Sequence, residues 1–261
     1  MKLIVACACS FLFTANSFAG KFINLEYSVD GMHRTAGLYL PDDYDRSKHW
    51  PLVIYLHGGG RGGDNNGEAI VWAKKTQIAS VIAKDSTKVP ALVLIPRCPK
   101  GKVWAPVSPD ALMSPWRTQR GAGEQIPDAA DHITKAVDTV ISQFSVDESK
   151  VSLTGFSMGG EGSIRYGALN VSRFAAIAPI AGSAIAIQAD APALASTNVW
   201  MFQGETDRLS TAALGRKMST WIKEAGGNIQ YTEFKGIGHR IQEKAFEANN
   251  FIEWLISQES K

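Results

Sequence analysis

Short apolar runs, mostly bounded by Gly, Pro or Asn, recur along the chain at residues 52–56, 91–96, 151–155, 174–180, 199–202 and 229–234. Runs of this length and composition read as buried strands of a sheet. Between them the period lengthens. Ile126, Ala129, Ile133, Ala136, Val137, Val140, Ile141 and Phe144 recur at intervals of three and four and mark one face of an amphipathic helix. Similar spacing predicts helices over 69–82, 163–169, 214–225 and 241–256. Strands alternating with helices imply an α/β fold, a mostly parallel sheet with helices on both faces. Ahead of it, segments 22–29 and 34–40 flank the turn-forming pair Asp30-Gly31, which predicts an N-terminal antiparallel hairpin. No repeat, low-complexity tract or Pro/Gly/Ser-rich linker interrupts this plan, so one domain is expected.

Composition changes the picture at only a few points. The chain carries 27 basic against 25 acidic residues, and the basic ones are scattered, which argues against a nucleic-acid partner. The opening is different in kind: Lys2 precedes an apolar run over 3–13, and Ser17-Phe18-Ala19 then supplies the small residues a signal peptidase requires. Residues 1–19 are therefore expected to be a secretory signal peptide, leaving 20–261 as one domain in the periplasm or outside the cell. That run falls short of the ~20 residues needed to span a bilayer, and no later stretch is long enough, so no membrane partner is expected after cleavage. Cys7 and Cys9 would leave with the signal peptide. Cys98, at the end of an apolar strand pattern, is then expected to be a small buried hydrophobe without a disulfide.

The candidate chemistry centres on Gly155-Phe156-Ser157-Met158-Gly159, a G-x-S-x-G match between a predicted strand and a predicted helix. Such a serine stands on a tight turn at the strand's carboxyl end, where the backbone N–H of Met158 can receive an oxyanion. A serine needs a base to take its proton and a carboxylate to orient that base. Of five histidines, His33 and His49 fall in early turns or loops, His132 is expected on the polar side of the long helix, and His57 precedes a glycine run. His239 is the one that follows Ser157. The preferred acid is Asp207, in the loop after strand 199–202, where Gly204 permits the turn; Glu205 is its near rival and Asp190 the distant one. His57-Gly58-Gly59-Gly60 follows strand 52–56, where Gly59 or Gly60 can supply the second oxyanion donor without side-chain collision. No G-x-x-x-x-G-K-[ST] phosphate loop is present, no cluster has metal-ligand spacing, and no cofactor is implied.

Segment 99–123, rich in Pro and Gly, is long for a connection inside one domain and is expected to shape a binding site. Trp104, Trp116 and Arg117, with Arg120, are its candidate substrate contacts: aromatic rings suit a sugar face or an aryl acid, and guanidinium groups suit a carboxylate.

With Ile95-Pro96-Arg97-Cys98-Pro99 and Gly204-Glu205-Thr206-Asp207 added to the motifs above, the chain resembles α/β-hydrolase esterases. Among these it is similar to polyhydroxybutyrate depolymerase-like, feruloyl or acetylxylan esterase-like and dienelactone hydrolase-like proteins, including secreted predicted peptidases. The resemblance covers nearly all of 20–261. It implies an α/β-hydrolase fold and hydrolysis of a small-molecule or polysaccharide-linked ester through an acyl-enzyme. Glu161 departs from the resemblance, standing where related sequences more often carry a neutral residue. The stretch between strands 174–180 and 199–202 is too short for a large lid domain. Peptide cleavage and acyl transfer keep the same residues, whereas a carbohydrate-binding pseudo-hydrolase would lack one of them.

Overall fold

The computed structural model describes residues 20–60, 62–63, 69–115, 118, 126–248 and 250–260. It opens with the hairpin of β1 (Lys21–Val29) and β2 (Met32–Leu40). Asp30 and Gly31 have φ of 51° and 73°, the left-handed pair that a type I′ turn needs to match the twist of its strands.

The alternating part follows as β3 (Trp50–Leu56), α1 (Ala69–Ala73), α2 (Gln77–Lys84), β4 (Leu92–Ile95), β5 (Leu112–Met113) and α3 (Ala130–Gln143). Then come β6 (Val146–Phe156), α4 (Met158–Leu169), β7 (Ala176–Ile180), β8 (Ile185–Ala186), α5 (Ala191–Ala195) and β9 (Asn198–Gly204). The chain closes with α6 (Ala212–Glu224), β10 (Ile229–Phe234), α7 (Gln242–Glu247) and α8 (Phe251–Ser257). The main sheet has the order β1-β2-β4-β3-β6-β7-β9-β10; β2 pairs antiparallel with β4, and every later pair is parallel.

The central strand β3 lacks polar alternation, and its packing shows why. Leu52, Ile54 and Leu56 join one buried cluster with Ile133, Val137 and Leu153, while Val53 and Tyr55 join another with Ile78, Phe202 and Leu255. Helices cover both faces, so both sets of alternate positions are apolar.

The long helix is shorter than its apolar pattern. Ile133, Ala136, Val137 and Val140 are buried on α3, but Ile126 lies ahead of it and is exposed. His132 departs from its expected polar face. It is buried, its ring meets Tyr27 edge-on at 6.4 Å, and its Nδ1 has no hydrogen-bond partner. Burial, reinforced by Arg34 and Lys102, holds its pKa below the usual 6.5. The folded state therefore binds this proton less readily than the unfolded chain. This residue's contribution to stability is present above the unfolded value and is lost as pH falls below it. In urea titrations the unfolding free energy is expected to drop with acidity below about pH 6.5, by up to about 1.4 kcal/mol per pH unit from His132. His132→Phe, which keeps the ring packing, should flatten that part of the profile; an unchanged slope would assign the effect elsewhere.

Two predicted helices are each split in two. Within 69–82 the path breaks after Ala73, and Thr76 starts α2 by accepting a hydrogen bond from the Ala79 amide at 3.4 Å while donating to the Ala73 carbonyl at 2.7 Å. Within 241–256 the break lies between α7 and α8, at Asn250 with φ 63°. Apolar spacing runs through both breaks, so periodicity alone reads each as one helix. In segment 99–123, Leu112 and Met113 pair antiparallel with Ile185 and Ala186, which ties the connection to the chain just after β7.

Candidate active site

Ser157 sits between β6 and α4 with φ 56° and ψ −117°. A non-glycine residue held there costs of order 1–3 kcal/mol and persists only where its surroundings over-determine it. Here the Ser157 amide donates to the Ile180 carbonyl at 2.9 Å, and its carbonyl accepts from the Glu161 amide at 2.9 Å. The flanking glycines serve close approach. A Cβ on Gly159 would lie 1.9 Å from the Leu56 carbonyl oxygen, and one on Gly155 would lie 2.5 Å from that of Gly159. Thus β3, β6 and the first turn of α4 meet backbone to backbone, and the serine is forced out at the carboxyl edge of the sheet.

The loops after β9 and β10 are joined by main-chain bonds. Glu205 donates to the Phe234 carbonyl at 3.1 Å and Thr206 to that of Ile237 at 3.0 Å. A Cβ on Gly204 would lie 2.2 Å from the Gly238 carbonyl oxygen. Gly204 is absent from the positive-φ residues, so its role is to admit the neighbouring loop rather than to make the turn expected from the sequence. Gly204→Ala should push the loops carrying Asp207 and His239 apart. A misplacement of about 1 Å can cost on the order of 10²-fold in rate; near-normal kcat in a folded variant would contradict this reading.

These constraints bring three side chains together. His239 Nδ1 lies 2.7 Å from Asp207 Oδ2, and Nε2 lies 2.9 Å from Ser157 Oγ. The side chain of Asp207 is fully buried, and its Oδ1 accepts the amides of Leu209 at 2.8 Å and Ser210 at 2.9 Å. An ionised carboxylate only accepts, so the Nδ1 facing it carries the proton and Nε2 presents a lone pair to the serine hydroxyl. The arrangement can therefore draw a proton from Ser157 and hold the resulting imidazolium.

The glycine run after β3 lies against the serine turn. A Cβ on Gly58 would meet the Phe156 ring at 3.2 Å and Ser157 Cβ at 3.4 Å, and one on Gly59 would approach Met158 Cβ at 4.0 Å. Gly60 has φ 76°. His57 braces this run from beneath: buried, it accepts the Cys98 amide at Nε2 (3.0 Å), and its Nδ1 lies 2.7 Å from the Gly58 carbonyl. Trp104 donates its indole N–H to the His57 carbonyl at 2.8 Å and is wholly buried. The expectation that Trp104 contacts substrate is thereby corrected: it is part of the loop's core. Trp116, Arg117 and Arg120 lie outside the described residues.

The rival acids have other partners. Glu205 accepts the Gly236 amide at 2.6 Å. Asp190 is buried against Arg165, which also donates to the Pro106 carbonyl at 3.2 Å, and burial pushes the Asp190 carboxyl above its usual pKa. Glu161 is buried in the first turn of α4. Cys98 is buried, which pushes its thiol up to about 12 and leaves it unreactive.

A cavity of about 480 Å³ opens over Ser157 and His239. Besides the glycine run, its walls include Tyr55, Gln77, Phe156, Leu209 and Gln242, with Gln242 donating to the Tyr55 hydroxyl. Sequence reasoning did not single these out as site residues. They come from different elements, and apart from Phe156 none belongs to a motif.

Residues 44–256 match the model of a family described as phospholipase/carboxylesterase. The probable feruloyl esterase C of Aspergillus niger is 27% identical over 161 residues, which are 60% of this chain and 51% of that protein. The chain thus spans about half the length of this curated relative. A thermostable esterase structure aligns with a TM-score of 0.70 at 24% identity, over 91% of this chain and 63% of its own. The feruloyl esterase module from Clostridium thermocellum, complexed with sinapinate, aligns with a TM-score of 0.58 at 15% identity over 89% and 88%. These structural likenesses share the mostly parallel sheet of the α/β-hydrolase fold. With the family pattern matched from residue 44 to 256, the chain belongs to the phospholipase/carboxylesterase family of α/β-hydrolase-fold enzymes.

Proposed function

We propose that this chain is an exported serine esterase that cleaves small-molecule or polysaccharide-linked carboxylic esters through an acyl-enzyme on Ser157. The observation that carries the reading is the continuous relay from Ser157 Oγ through His239 to a buried Asp207, at 2.9 and 2.7 Å. His239 Nε2 takes the hydroxyl proton as Oγ attacks the ester carbonyl, and the amides of Met158 and of Gly59 or Gly60 receive the oxyanion. The imidazolium, steadied by Asp207, returns its proton to the departing alkoxide. Water then adds to the acyl-enzyme with His239 again as base, releasing the acid and restoring Ser157. The cavity above the serine, about 480 Å³, suits a compact group next to the scissile bond.

The test is labelling by a fluorophosphonate, mapped by peptide mass, together with turnover of acetyl, butyryl, feruloyl and hydroxybutyrate esters and of short peptide anilides. Labelling at Ser157 with ester turnover alone is expected. Absence of labelling would overturn the reading, and anilide turnover at comparable rates would make the enzyme a peptidase. Export is tested by sequencing the amino terminus of protein recovered outside the cytoplasm, which should begin at Gly20.

A further inference from the structure

Gln203, the penultimate residue of β9, is buried at 1% exposure and bonds the Asp207 oxygen that the Leu209 and Ser210 amides do not take. Its Nε2 donates to Asp207 Oδ2 at 3.2 Å and to the Ser210 carbonyl at 2.5 Å. Its Oε1 accepts the Ser183 hydroxyl at 2.8 Å, and that hydroxyl oxygen is itself 3.1 Å from Ser210 Oγ. The amide can point only one way. A carboxylate and a main-chain carbonyl are both pure acceptors, so reversing it would set Oε1 against two oxygens. Gly215 keeps the space tight: a Cβ there would come within 3.4 Å of both Gln203 Cγ and Ser183 Oγ.

We infer that Gln203 is a positioning residue for the hydrolytic reaction, acting through Asp207 on the proton affinity and alignment of His239. Oδ2 is shared between the His239 N–H and the Gln203 N–H. The glutamine bond fixes which lone pair faces His239 and draws charge from that oxygen. Without it, Asp207 would bind the imidazolium more tightly and hold its ring less rigidly. Loss of one hydrogen bond to a charged group corresponds to about 10- to 100-fold in kcat. The inference rests on the serine-esterase reading of Ser157, His239 and Asp207.

Two near-isosteric variants test it. Gln203→Met removes the donor, and Gln203→Glu sets a second carboxyl beside Asp207. Each is to be assayed on p-nitrophenyl acetate over pH 5–9, with folding monitored by near-ultraviolet circular dichroism. For Gln203→Met the expected result is a fall in kcat of about 10- to 100-fold with KM unchanged, and an acid limb of kcat/KM moved upward by about half a pH unit. Gln203→Glu should move it further in the same direction. Among the described residues, the other titratable groups around His239 are Asp207, then His57, Tyr55 and Lys75 across the cavity, and Glu205, Arg208 and Arg240 in its own and the facing loop. All are retained in both variants, so the shift isolates Gln203. Folded variants with the wild-type pH profile would overturn the inference. Should neither variant fold, Ser183→Ala, which removes the partner of Oε1 together with the contacts to Ser210 Oγ and the Thr211 carbonyl but leaves the Asp207 bond in place, must give a smaller shift of the same sign, and no shift would equally overturn it. Activity surviving Ser157→Ala would instead bring down the esterase reading, whatever the Gln203 variants do.

Discussion

Replacing Ser157 by alanine is expected to lower kcat on an aryl acetate by about 10⁴-fold or more, with little change in melting temperature. The chemical part follows from the site: with Oγ gone, His239 has no hydroxyl to deprotonate and no acyl-enzyme can form. The stability part follows from the turn. The bonds that hold residue 157 in its left-handed conformation are main-chain bonds to Ile180 and Glu161, and alanine makes both. Its strain at φ 56° is carried equally by either residue. Steady-state kinetics with parallel thermal melts check both halves, and retention of most activity in a folded variant would end the esterase account.

Asp207→Asn should be nearly as damaging, by about 10⁴-fold in kcat at neutral pH, the size seen when the same change is made in a serine protease. Asparagine can keep its carbonyl oxygen toward the Leu209 and Ser210 amides, which turns its NH₂ toward His239 Nδ1 and the Gln203 amide. Nδ1 must then accept, the ring proton moves to Nε2, and His239 points a donor at the serine it must deprotonate. The fold should survive because the main-chain contacts do. KM for a small ester should barely move, since Asp207 is buried beneath the cavity and does not line it. A loss below tenfold would mean that His239 is oriented by something other than this carboxylate.

How far the sequence could be read depended on whether a feature is local. The hairpin was legible because Asp30-Gly31 can take two left-handed conformations in succession. The β10 strand was read to its last residue, since the turn residues Gly226-Gly227-Asn228 and Gly236 bound it on both sides. Helix breaks were not legible. At Thr76 a side-chain cap competes with continuation, and at Asn250 a left-handed residue interrupts apolar spacing that carries on beyond it. His132 was misassigned because a histidine among polar neighbours reads as surface until Tyr27 of β1 is packed over it.

The same division runs through the site. Ser157 was a candidate because two glycines and a strand-to-helix change are readable in one stretch, and His239 because no other histidine follows it. Gly204 was noticed for the wrong reason, as a turn maker, because the Gly238 carbonyl it admits is far along the chain. Trp104 and Gln203 illustrate the limit. An aromatic ring in a long Pro-rich loop fits a binding platform and a buried core equally well until the His57 carbonyl is seen to take its N–H. Gln203 carries no motif at all.

What the amino-acid sequence by itself determined is the order and type of the main elements, the α/β class, and a short slate of residues with the right chemistry. These rest on period, turn preference and residue type, all of which act within a few positions. The tertiary structure decided the distances: that β6, β7, β9 and β10 end side by side in that order, that two loops zip together to set His239 between Ser157 and Asp207, and which polar groups are buried. Those outcomes depend on side chains 32 and 82 positions apart meeting within a hydrogen bond's length, and the strand order of the sheet brings them there.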